Sequence, residues 1–117
     1  FGKMVTMDLD EYQKRAATTD KTTNDDVVFS RMYLSMGLAG ETGEVVEKVK
    51  HIIRDADGVV SDEKRELLKK ELGDVLWYTS QLARSFGISF NDVAETNLQK
   101  LADRAARGVL KSEGDNR

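Results

Sequence analysis

Cysteine is absent from this 117-residue chain, which excludes disulfides and thiolate metal sites alike. Proline is absent too and aromatic residues make up only 7%, so the composition suits packed helices better than a sheet. No apolar run reaches the roughly 18 residues that a membrane-spanning helix needs. The opening FGKMVTMDLDEY lacks the apolar core of a signal peptide; the expectation is a cytoplasmic protein with no membrane partner. Positive charge is not in excess either. A formal net charge of −3 gives no basis for general nucleic-acid binding, and basic residues that meet phosphate must act locally. The length admits a single domain, residues 1–117, with a core but no room for a second.

What is present is helical periodicity. Asp8 is placed to cap a first helix with Leu9, Tyr12, Gln13 and Ala16 along one side, ended by the polar stretch TTDKTTNDD, which reads as a loop without assigned chemistry. A second helix is predicted from Asp25-Asp26 to about Arg54, offering Val28, Met32, Leu38, Val45, Val49, Ile52 and Ile53 to the core. Ser61 caps a third, in which Leu68, Leu72, Val75, Leu76, Thr79, Leu82 and Phe86 recur at spacings of three and four until Gly87 stops it. A fourth opens at Ser89-Phe90-Asn91-Asp92, with Val93, Ala94, Leu98, Leu101 and Ala105 as its apolar side. The tail, 108–117, has too little apolar content to pack and is expected to be mobile. The fold class is therefore all-α, an antiparallel bundle of four main helices.

Two acidic pairs, Glu41/Glu44 and Glu71/Asp74, each share a helix face at i, i+3. Glu44 and Glu71 are centred between Asp57 and Gly58, and so are Glu41 and Asp74, so an antiparallel hairpin turning there sets all four carboxylates at one level. Carboxylates gathered in a partly buried site repel one another and need protonation or a cation. An all-oxygen donor set suits Mg²⁺, with Mn²⁺ as the second choice. Taken singly, such pairs are most often solvated surface charges; the shared centre is what argues for a metal-bearing hairpin. A di-iron bundle would need Glu-x-x-His on two helices, and His51 belongs to no such motif. Gly37, Gly40 and Gly43 recur beside the first pair and Gly73 lies in the second, each at a cost of about 1 kcal/mol to a helix relative to alanine. Two explanations stand: close approach of a neighbouring helix, or room for a ligand.

The blocks GLAGETGEVVEKVK and KKELGDVLWYT resemble the metal signature of the MazG-type all-α nucleoside triphosphate pyrophosphohydrolases. The likeness extends from about Glu11 to Arg107, taking in EYQKRAATT before the signature and TNLQKLADRAARGVL after it. The resemblance implies hydrolysis of a nucleoside or deoxynucleoside triphosphate to the monophosphate and pyrophosphate, with Glu41, Glu44, Glu71 and Asp74 as catalytic ligands of Mg²⁺. It implies a homodimer or homotetramer, as does the spread of apolar residues around more than one stripe of the second and third helices. Asn97, Lys100 and Arg104 form a polar stripe that by itself reads as a solvated face; the resemblance implies that they meet the nucleotide. Trp77, one turn beyond Asp74, is either a base-stacking surface or a core or interface residue.

One position departs from the pattern. Some relatives carry a further glutamate just before the first metal carboxylate, where this chain has Gly40. The residue that assists the attacking water is thus open between Glu44 and Glu47, and Glu47 is equally suited to an ion pair with Lys50 or Lys48. The rival to an enzyme is a non-catalytic helical interaction module on the same fold, against which the retained acidic quartet argues.

Overall fold

The computed structural model describes residues 6–22 and 26–108, and among them every regular element is a helix. These are α1 (Leu9–Ala17), α2 (Val27–Ala56), α3 (Asp62–Ser85) and α4 (Phe90–Ala106). Asp8, Asp26, Ser61 and Ser89 cap them in turn, each side chain accepting the backbone N–H of the residue three further on. Each cap satisfies a donor that the first helical turn otherwise leaves unpaired. Asp25 and the tail from 109 onward lie outside the described residues. No described helix is long and apolar enough to cross a membrane.

The hairpin turns where the acidic pairs are centred. Asp57 adopts the left-handed conformation (φ 51°) and Gly58 follows at φ 79°, its N–H donating to the Ile52 carbonyl at 3.0 Å. This closes the last turn of α2 and sends the chain back as α3. The register holds to the far end. Gly37 and Tyr78 are equidistant from the turn in sequence, and a Cβ on Gly37 would overlap the Tyr78 ring. Further along, the Arg31 guanidinium donates to the Ser85 carbonyl at 2.8 and 3.2 Å and lies 4.1 Å from the Phe86 ring centroid.

A polar clasp joins α1, α3 and α4. Asn91 Oδ1 accepts the backbone N–H groups of Leu9 and Asp10, while the Asp10 carboxylate accepts the Asn91 N–H at 2.9 Å and the Ser89 hydroxyl at 2.8 Å. Two helix N-termini thus satisfy one another's first-turn donors, and those bonds, led by the Asn91 N–H, hold the Asp10 carboxyl below its usual range. Gln13, buried beneath, donates to the carbonyls of Ser80 and Ile88 and accepts the Phe90 N–H. The fully buried Gln81 donates to the Gln13 carbonyl and accepts from the Arg84 guanidinium. A core of this kind specifies one docking of α1 and α4, because any shift leaves buried amides unpaired.

Apolar burial is thin. Only Ala16, Leu34, Ile52 and Phe90 are buried hydrophobics among the described residues. The sequence pattern assigns Val28, Met32, Val49, Ile53, Leu72, Leu76, Phe86, Leu98 and Leu101 to the core, but all of them are exposed. The reason is architectural: α2 packs against α3 alone among the helices, while α1 is bonded through Gln13 to the carbonyls of Ser80 and Ile88 and α4 packs against α1 and α3. A two-helix hairpin has one inner seam, so a second apolar row has nothing among the described residues to cover it. The Cα radius of gyration, 17.5 Å, exceeds the about 13 Å of a compact domain of this length.

Candidate functional site

The hairpin register brings three of the four carboxylates together. Glu41 of α2 and Glu71 and Asp74 of α3 each offer an oxygen, and these oxygens lie within 4.8 Å of one another. Glu41 and Glu71 are half-buried and Asp74 is exposed. The burial of Glu41, followed by the charges of Asp74, Glu71 and Glu44, pushes its carboxyl above the usual carboxylate range. The field extends to two phenols. Burial raises Tyr12, with Asp74 adding to it; burial also raises Tyr78, with Tyr33, Glu41, Asp74 and Asp20 adding to it.

Glu44 stands outside this group. It is exposed, with Oε1 at 3.9 Å from Lys48 Nζ, and the same ammonium crosses the hairpin to Glu71 Oε2 at 3.3 Å. Lys48 is not among the site residues that the sequence pattern points to, although its place four residues after Glu44 is a signal for an ion pair on this face. Glu47 pairs instead with Lys50 at 3.6 Å and with His51 at 3.4 Å, so the bland reading of Glu47 holds and the histidine takes no part in the acidic group.

The glycines divide between the two explanations. Gly37 permits the close approach of Tyr78, whereas Gly40, Gly43 and Gly73 have nothing within 4 Å of where a Cβ would stand. The acidic rows are therefore flanked by open space in this chain. An oxygen-only, anionic group that already holds an ammonium at one of its members fits a hard divalent cation.

Trp77 is half-buried, T-shaped against Tyr78 at 5.0 Å, and its indole N–H donates to Thr19 Oγ1 at 2.9 Å. Together with Met7, Tyr12, Arg15, Ala16, Thr18 and Thr19 it lines an open cleft of about 640 Å³. Tyr12 ties this cleft to the acidic group, since its phenol feels Asp74. Thr18 and Thr19, which open the polar stretch to which the sequence assigns no chemistry, thus supply part of the cleft wall. Asn97, Lys100 and Arg104 lie on α4, which does not meet α2, and none belongs to the carboxylate group; Asn97 is exposed and the two cations are half-buried.

Comparison with known proteins identifies the family. The family model for the MazG nucleotide pyrophosphohydrolase domain matches residues 29–109. The Gene 37 protein of Mycobacterium phage L5 is 44% identical over 114 residues, covering 95% of this chain and 100% of that relative. No solved structure matches the chain. The matched span carries the acidic hairpin and all of α4, and on that ground the chain belongs to the MazG nucleotide pyrophosphohydrolase domain family.

Proposed function

We propose that the chain hydrolyses a nucleoside or deoxynucleoside triphosphate to its monophosphate and pyrophosphate, with Mg²⁺, or Mn²⁺ in its place, held by Glu41, Glu71 and Asp74 and completed by Glu44. The observation that carries this reading is the convergence of carboxylates from two helices within 4.8 Å. A divalent cation bound there supplies a Lewis acid for the phosphoryl oxygens and lowers the pKa of water. The chain's own residues do the rest. Trp77, its ring fixed by the bond to Thr19, offers a face for the base. Asn97, Lys100 and Arg104 serve the nucleotide, the two cations by neutralising phosphate charge. With Gly40 unable to help and Glu47 engaged by Lys50 and His51, a carboxylate oxygen of Glu44 takes the proton of the attacking water.

The test is incubation with Mg²⁺ and a panel of NTPs and dNTPs, with pyrophosphate and phosphate detected separately. Pyrophosphate release with at least one nucleotide is expected. Phosphate without pyrophosphate rules out the assigned bond cleavage. A folded protein inert to the whole panel favours the alternative, a non-catalytic helical module, for which the exposed apolar rows of α2 and α4 would be the working surface.

The same exposed rows support a homodimer or homotetramer as the working form. Val28, Met32, Met36, Val46 and Ile53 on α2 and Leu98 and Leu101 on α4 are large apolar side chains left exposed, the kind of surface that an assembly covers. Light scattering at micromolar concentration is expected to give at least twice the chain mass of 13.1 kDa. A mass of one chain overturns the assembly.

A further inference from the structure

Lys48 separates itself from the other lysines of the hairpin. Lys50 and Lys69 pair within their own helices, with Glu47 and Glu66. Lys48 reaches from α2 to α3, setting its Nζ 3.3 Å from Glu71 and 3.9 Å from Glu44. The pair with Glu71 is also shielded, the two side chains being 29% and 18% exposed, so bulk screening weakens it less than a surface pair. Glu71 therefore belongs to two arrangements at once: the three-carboxylate group with Glu41 and Asp74, and the ion pair with Lys48.

We propose that Lys48 is an exchangeable internal counter-ion of the acidic site, holding Glu71 and Glu44 while no divalent cation is bound and withdrawing from Glu71 when one binds, so that it sets the site's metal affinity. The proposal rests on the reading of the carboxylates as a metal site. An ammonium and a divalent cation on one carboxylate repel each other at close range, and the loss of the Lys48 pair is subtracted from the metal's binding energy. The flexible four-carbon stem allows the exchange without backbone movement. Glu44, outside the three-carboxylate group, has a carboxylate oxygen 3.9 Å from the same ammonium.

The experiment is calorimetric titration of Mn²⁺ into the nucleotide-free protein and its Lys48→Met and Lys48→Arg variants, with melting curves in chelator and in Mn²⁺. Lys48→Met is expected to bind Mn²⁺ about tenfold more tightly than the parent, and Lys48→Arg to stay near the parent because the charge is kept. In chelator Lys48→Met is expected to melt below the parent, since Glu71 has lost its partner, and to gain more from Mn²⁺. Equal or weaker Mn²⁺ affinity in Lys48→Met overturns the proposal. Should that variant not fold, Lys48→Gln carries the same expectation and the same refutation. Failure of parent and variants alike to bind Mn²⁺ overturns the metal site itself, and this proposal with it.

Discussion

Glu41→Gln and Asp74→Asn are each expected to lower pyrophosphate release by more than about a hundredfold, the scale on which single groups that stabilise transition-state charge act, while leaving the helical fold intact. The two effects separate because the carboxylates repel one another in the metal-free protein. Glu41 feels burial and then Asp74, Glu71 and Glu44, and all of these disfavour its charge. Its folded carboxyl holds a proton more tightly than the unfolded one does. The contribution to stability is therefore favourable below the ordinary glutamate pKa, about 4.3, and is lost as pH rises through the raised folded value. Glu41→Gln removes that loss. In chelator at neutral pH the variant is expected to melt at the parental temperature or up to about 5 °C above it, and the gain is expected to vanish near pH 4. Thermal melting at the two pH values, beside the pyrophosphate assay, decides the matter. A variant that turns over at the parental rate removes that residue from the site, and a fall in melting temperature at neutral pH shows a structural ion pair in place of a crowded acidic group.

Much of this arrangement is legible in residue spacing. The centring of both acidic pairs on Asp57-Gly58 anticipates the register that Gly37 and Tyr78 display, because an uninterrupted antiparallel hairpin keeps residues equidistant from its turn at one level. The helix starts are legible because Asp8, Asp26, Ser61 and Ser89 each supply a short acceptor just before a periodic run. The core is not legible, since helical periodicity reports that a face is apolar and says nothing of whether this chain or another covers it. Leu98 and Leu101 fit their stripe and still lie exposed. Nor is the clasp of Asp10, Gln13, Gln81 and Asn91 visible in the pattern, because buried amides look like surface residues until their partners, distant in sequence, are known. The place of Glu44 outside the three-carboxylate group belongs to the same class: i, i+3 spacing puts a carboxylate on a face and leaves its rotamer open.

Removing divalent cations is expected to reduce turnover by more than about a thousandfold, with recovery on adding Mg²⁺ or Mn²⁺. The donor set is the ground for this expectation. Glu41, Glu71 and Asp74 bring three negative charges to within 4.8 Å of one another, and the triphosphate brings more. Lys48 is the basic side chain paired across the hairpin with a member of this group, and one ammonium cannot neutralise three carboxylates and a nucleotide together. Without a further cation, substrate approach is opposed at close range by the side chains that are to position it. Ca²⁺ is expected to bind and to raise the melting temperature without supporting a comparable rate, because its looser coordination fixes phosphate and water less sharply than the octahedral Mg²⁺ shell. The binding half has its own readout: at one hundred times its dissociation constant, Mg²⁺ stabilises the folded state by about 2.7 kcal/mol, and Asp74→Asn is expected to lose most of that gain. Full turnover in excess chelator ends the metal mechanism. An unchanged melting temperature at saturating Mg²⁺, in a protein that nonetheless hydrolyses nucleotides, places the cation on the substrate and removes it from these carboxylates.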